Sequence, residues 1–120
     1  MESESAILAL AALAQPTRLD AFRLLVKSEP KGLAAGDIAN SLAVPQNTMS
    51  SHLSILTRAG LVTARRSGRS IVYRVDLTHF QNVLLYLLKD CCGGNPDLCA
   101  PLIESLMPCC PPAKKGRANV

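Results

Sequence analysis

Tryptophan is absent from this 120-residue chain, and only two Phe and two Tyr are present. So small a supply of rings rules out an interior organised by aromatic stacking. Aliphatic side chains must fill it. With 48% hydrophobic residues, drawn mainly from Leu, Ile, Val and Ala, the composition favours helices packed on helices. No apolar run reaches the roughly 20 residues of a membrane-spanning helix, so no membrane partner is expected. Cysteine is missing from residues 1–90 and then occurs five times. A disulfide scaffold would spread its cysteines through the fold, so this clustering points to metal or redox chemistry in a reducing cytoplasm. The histidines are His52 and His79, with none beyond residue 79. A catalytic thiol near the C-terminus would therefore lack an imidazole base, and the chain is not expected to be an enzyme.

The length suits one small domain with a limited core, for which dimerisation through an apolar helix is a natural supplement. The net charge of +4 is a mild basic bias that permits nucleic acid without requiring it. The run Ile7–Ala14, ILALAALA, has the small-residue ending of a secretory signal. However, Glu2 and Glu4 stand where such a signal needs basic residues. The same run has helical spacing, so residues 5–14 are predicted as a first helix, apolar nearly all round.

Pro16 suits the first turn of a second helix reaching about Lys27, with Leu19, Phe22, Leu25 and Val26 as its apolar stripe. Ser28–Gly32 breaks it. A short third helix, about Ala35–Leu42, should bury Ile38, Ala39 and Leu42. After a tight turn at residues 43–45, a fourth helix runs to about Ala59 and stops at Gly60. Leu61–Arg66 and Ser70–Val75 alternate like strands joined through Ser67-Gly68-Arg69. Asp76 or Thr78 then caps a fifth helix reaching Asp90, whose apolar surface is too wide for one seam. Asn95-Pro96 can start a last short helix to about Met107. The Pro-rich basic stretch 108–120 is expected to be disordered. The fold class is thus mainly α with a small β-hairpin, one domain over 1–107 followed by a tail over 108–120.

Two helices joined by a short turn form a helix-turn-helix layout. In the fourth helix Met49, Leu53 and Leu56 share one face, while Gln46, Asn47, Thr48, Ser50, Ser51 and Ser54 lie largely on the other. A merely solvated face would carry Glu and Lys, and none occurs from Pro45 to Thr57. Short uncharged donors and acceptors can read base edges and bond phosphates. The hairpin adds Arg65, Arg66, Arg69 and Arg74, three of them near its tip. Alone this would be a solvated turn, but next to a reading helix it has the character of a wing that sets cations on the DNA backbone or in the minor groove. Arg58 either touches phosphate or favours the helix dipole. His52 should pack at the edge of the apolar face, hydrogen-bonded to backbone.

The segment CCGGNPDLC puts Cys91, Cys92 and Cys99 within nine residues. Inert buried cysteines normally occur singly, and Gly-Gly-Asn-Pro-Asp is not core composition. Three close sulfurs on a flexible link suit a soft, thiophilic ion. A dithiol–disulfide sensor competes, bridging Cys91 or Cys92 to Cys99 or to the second pair, Cys109 and Cys110.

The segments QPTRLDAFRLL and GDIANSLAVPQNTMSSHLSILTRAGLVTARRSGRSIVYRV, with the apolar helix after them, resemble the ArsR/SmtB family of winged-helix repressors. The likeness covers about residues 6–90, and the run SHLSILTRAGLV with its following RR, GR and YR is quite specific. It implies a homodimer built on the first and last long helices. It also implies an inverted-repeat operator read by two helices about 34 Å apart, and release from DNA on ligand binding. Family members with cysteines at the start of the recognition helix are not matched, because Gly32–Met49 contains none. Zinc-sensing members use Asp and His pairs along the last helix. Here Asp76 and His79 lack a second pair, and Asp90 alone does not complete a tetrahedron. A vicinal pair with a third Cys resembles arsenite-responsive members, which makes Cys91, Cys92 and Cys99 the implied ligands of arsenic(III). The thiol chemistry agrees, since trivalent arsenic takes three sulfurs in a pyramid. Methylated arsenic(III) needs only two, and antimony(III) should also fit. Cys109 and Cys110 would be accessory, handing arsenic on or replacing Cys99, or an exposed tail without function. No constitutive cofactor is expected; arsenic(III) would be an inducer. The alternatives are a repressor of the same fold sensing zinc, cadmium or thiol oxidation and, in another class, a small thiol enzyme or metal carrier.

Overall fold

Three alanines seat the first helix. In α1 (Ser3–Leu13), Ala6, Ala9 and Ala12 are buried, while Ile7 and Leu8 are 60% and 58% exposed. A helix that turns its smallest residues inward and its largest outward can approach its neighbours closely, but it leaves an apolar surface open. The computed structural model describes residues 1–88. Met1–Tyr86 forms one compact unit. Beyond it, Leu87 and Leu88 alone are described. The expected helix to Met107, the tail 108–120 and the domain boundary between them lie outside the described residues, as do Asp90, Cys91, Cys92, Cys99, Cys109 and Cys110.

The remaining elements are α2 (Pro16–Lys27), β1 (Leu33–Ala34), α3 (Ala35–Leu42), α4 (Gln46–Arg58), β2 (Val62–Ser67), β3 (Ser70–Val75) and α5 (Leu77–Leu88). This is a winged helix-turn-helix, as the sequence predicts, with α1 starting two residues early. Pro16 occupies the first turn of α2, and the Gln15 side chain accepts a hydrogen bond from Arg18 N at 2.8 Å. The stripe of α2 differs from expectation. Phe22 and Leu25 are buried, but Leu19 and Val26 are exposed and Ala21 takes an inward place. Leu42 is only half-buried, although Ile38 and Ala39 are in the core. Ala43, with φ 55°, ends α3 in the left-handed region and aims the turn into α4.

The three strands pair antiparallel in the order β1-β3-β2. The two-residue β1 has no alternation of its own, and its register with β3 (Leu33 against Tyr73, Ala34 against Val72) comes entirely from the partner strand. Ser67 pairs with Ser70, so the hairpin turn is Gly68-Arg69 alone. Gly68 has φ 64° at the first central position, where a type II′ turn requires it. Leu25, Ile38, Met49, Leu53, Leu56, Leu61, Val62 and Val83 form the buried centre. Phe22 and Phe80, 5.1 Å apart and tilted, dock the base of α5 on α2. Among the described residues no helix is long and apolar enough to cross a membrane.

Candidate nucleic-acid interface

Burial divides α4 into two faces. Met49, Leu53 and Leu56 are 0% exposed and fix the helix on the core. Gln46, Asn47, Thr48, Ser50, Ser51 and Ser54 are all exposed, as the sequence predicts. Ser51 Oγ donates back to Asn47 O at 3.3 Å, which ties its hydroxyl proton to its own helix. A helix held rigidly by three buried apolar side chains, with a polar face free of carboxylates, has the form of a groove-reading element.

The hairpin stands beside this face. A groove of about 290 Å³ lies between α4 and the wing, lined by Gln46 and Ser50 on the helix and Arg69, Ser70, Ile71 and Tyr73 on the hairpin. Strand alternation then sorts the arginines, because paired residues on adjacent strands share a face. Arg66 pairs with Ile71 and Ala64 with Tyr73, so Arg66 belongs to the face turned toward α4. Arg65 pairs with Val72 and Thr63 with Arg74, which places Arg65 on the opposite face. Arg69 sits in the turn. The structure therefore places Arg69 in the groove beside the recognition helix and Arg66 on the same face of the hairpin, and it separates Arg65 from them.

Arg74 is not a free cation. Its Nη2 donates to Glu29 Oε1 at 2.7 Å and its Nε to Oε2 at 3.3 Å. The hydrogen bond to Glu29, and then its charge, hold the Arg74 guanidinium still more firmly protonated than usual. Arg58 is exposed at the end of α4.

His52 departs from expectation. It is half-buried at the edge of the apolar face, but its partner is a side chain and not the backbone. Arg18 Nη1 lies 3.3 Å from His52 Nδ1, and Arg18 Nε donates to Ala12 O at 2.6 Å. Sequence reasoning missed Arg18, which is 34 positions from His52 and reaches it only through the packing of α2 on α4. Asp76 resolves the capping alternative: its Oδ1 accepts from His79 N at 3.0 Å. Among the described residues no three metal-ligating side chains come together.

Residues 13–65 match the profile of a helix-turn-helix domain family. The chain is 38% identical over 76 residues to the transcriptional repressor SmtB of Mycobacterium tuberculosis, covering 63% of this chain but 54% of that protein. It is 31% identical over 87 residues to the transcriptional repressor SdpR of Bacillus subtilis, covering 72% of this chain and 93% of that protein. The chain belongs to the ArsR/SmtB family. The solution structure of a homodimeric winged helix-turn-helix DNA-binding domain from Mycobacterium bovis, a possible ArsR-family regulator, superposes with a TM-score of 0.60. It shares 28% identity over 71% of this chain and 77% of that one. ArsR/SmtB proteins are DNA-binding transcriptional regulators and not enzymes. The chain spans about half the length of the SmtB repressors that it matches, 54% of each.

Proposed function

We propose that this ArsR/SmtB protein is a homodimeric repressor that binds an inverted-repeat operator and leaves it when trivalent arsenic is held by Cys91, Cys92 and Cys99. The observation that carries the DNA part is the juxtaposition across the groove of about 290 Å³: a carboxylate-free polar helix face on one wall, Arg69 on the other. Gln46, Asn47, Thr48, Ser50, Ser51 and Ser54 read base edges and nearby phosphates, and Arg65, Arg66 and Arg69 hold the backbone. Dimerisation through α1 and α5 is supported by the open apolar side chains Ile7, Leu8 and Leu10 on the first helix and Leu85, 51% exposed, on the last.

The ligand rests on the sequence that follows α5. CCGGNPDLC offers three thiols to a soft ion, and the described residues hold no competing ligand cluster. Arsenic(III) takes thiolates in preference to imidazole or carboxylate and deprotonates them on binding. Release is then a population shift: arsenic must favour the non-binding dimer by about 1–3 kcal/mol or more. A second reading, release by oxidation of the same thiols, draws on the same cysteines.

Fluorescence anisotropy tests both. The reduced protein is placed on inverted-repeat duplex from its own promoter and titrated separately with arsenite, zinc and peroxide. Release by low arsenite alone is the expected result. Release by zinc alone would move the sensor to other ligands, and release by peroxide alone would establish the redox reading.

A further inference from the structure

The wing has a second basic face. Thr63, Arg65 and Ser67 alternate onto the side of the hairpin turned away from α4, together with Val72 of β3. With Pro30 and Lys31 of the α2–β1 loop they line a cleft of about 270 Å³, separate from the groove beside the recognition helix.

Gly32 sets Lys31 there. It has φ +78°, and a Cβ at this position would stand 2.5 Å from both Tyr73 O and Arg74 Cγ. No other residue lets the loop lie so close to β3. The β1–β3 pairing that begins at Leu33 then fixes the loop to the sheet. Lys31 is thereby held at the side of the hairpin, although it is 34 positions before Arg65 in sequence.

Charge identifies the occupant. Arg74 also lines this cleft, but it and Glu29 engage each other through two hydrogen bonds. Their charges cancel locally. Lys31 and Arg65 are exposed and form no ion pair among the described residues, so they give the cleft its net positive charge. Thr63 and Ser67 add hydroxyl donors. Two cations and two hydroxyls around a small concavity suit a phosphodiester oxygen.

We propose that the wing grips DNA from both faces, with the Lys31–Arg65 cleft taking a phosphodiester of the strand opposite the one met by Arg66. The inference rests on the operator-binding reading above. A minor groove has two backbone walls about 6 Å apart, and the hairpin carries cations on two opposite faces. Side chains that leave a strand in opposite directions cannot both reach one wall when the tip stands between them. Arg66 and Arg69 meet the wall nearer the recognition helix, and Arg65 and Lys31 meet the far one. Lys31 is a phosphate-binding residue contributed from outside the wing.

The test uses the full chain on inverted-repeat duplex from its own promoter. Lys31→Ala, Arg65→Ala and Arg66→Ala alter exposed side chains, and circular dichroism verifies the fold. Each is expected to weaken binding on all sequences and to lower the slope of log K against log salt by about 2 per dimer, one phosphate per protomer. Neutral methylphosphonate linkages are then placed in one strand at a time beside each half-site. The expected result is a crossed pattern: Lys31→Ala and Arg65→Ala become insensitive to neutralisation of one strand, and Arg66→Ala to that of the other. An unchanged salt slope in Lys31→Ala, or one strand shared by Arg65 and Arg66, would overturn the two-faced wing while leaving operator binding intact. Amide shifts at Lys31 and Arg65 on titration with inorganic phosphate, without a strand effect, would assign the cleft to a free anion and also overturn it. Failure of the wild-type chain to bind any duplex would instead overturn the operator reading itself.

Discussion

Arg18 Nη1 lies 3.3 Å from His52 Nδ1, and this contact ties α2 to the recognition helix. A guanidinium can only donate, so Nδ1 is the accepting nitrogen of this contact. The same side chain donates to Ala12 O at the end of α1. One residue therefore joins α1, α2 and α4. Arg18→Ala is expected to lower stability by about 1–3 kcal/mol, the usual effect of removing a partly buried charged donor, measured by urea denaturation. Stability equal to wild type would show that the bridge contributes nothing.

Gly60 is the most constrained of the tight turns around the reading helix. Its φ is +82°, and an added Cβ would stand 2.8 Å from His79 Nε2. Gly60→Ala should cost about 1–2 kcal/mol for the left-handed backbone alone, and more because the imidazole must move. Gly68 has a similar φ of +64° but open space around it, so Gly68→Ala should be affected only by the backbone preference. Thermal melts of the two variants should rank Gly60→Ala clearly below Gly68→Ala.

Asp76→Ala removes the side-chain acceptor for His79 N at the start of α5. A lost N-cap typically costs about 0.5–2 kcal/mol. Denaturation should show that loss, and Asp76→Asn should recover most of it because the amide oxygen still accepts. Failure of Asn to rescue would mean that the negative charge matters more than the hydrogen bond.

On DNA, base reading and backbone holding should separate. Gln46→Ala is expected to reduce discrimination between operator and mismatched sites by about 1–3 kcal/mol, with little change in salt dependence. Equal losses on every sequence would make Gln46 a backbone contact instead.

Cys91→Ser together with Cys92→Ser should abolish release by arsenite and leave operator affinity unchanged in anisotropy titrations. Loss of DNA binding in that variant would make the cysteines structural.

The helices around the interface were legible because their boundaries carry local chemistry. Pro16 opens α2, Gly60 follows α4, and the i, i+4, i+7 spacing of Met49, Leu53 and Leu56 predicts the buried face that the structure shows. What escaped the sequence depends on distant packing. Arg18 finds His52 only because α2 lies against α4. The short β1 is ordered by β3 and not by its own two residues. Leu19 and Val26 fit a helical stripe by spacing, yet Ala21 occupies the inward position where α2 is packed closely. The division of Arg65 from Arg66 is implicit in strand alternation, but which of them faces α4 became clear only with the groove lined by Ile71 and Tyr73.

The hairpin turn of Gly68 and Arg69 locks Arg65 opposite Val72 and Arg66 opposite Ile71. In such a ladder, odd and even positions have opposite destinations. Loss or gain of one residue within β2 would exchange the two arginines between faces, whereas a change of two would restore them. Wing length in this protein is therefore a matter of parity: the hairpin can lengthen or shorten by pairs and keep its charges where they are, and a single-residue step reverses them.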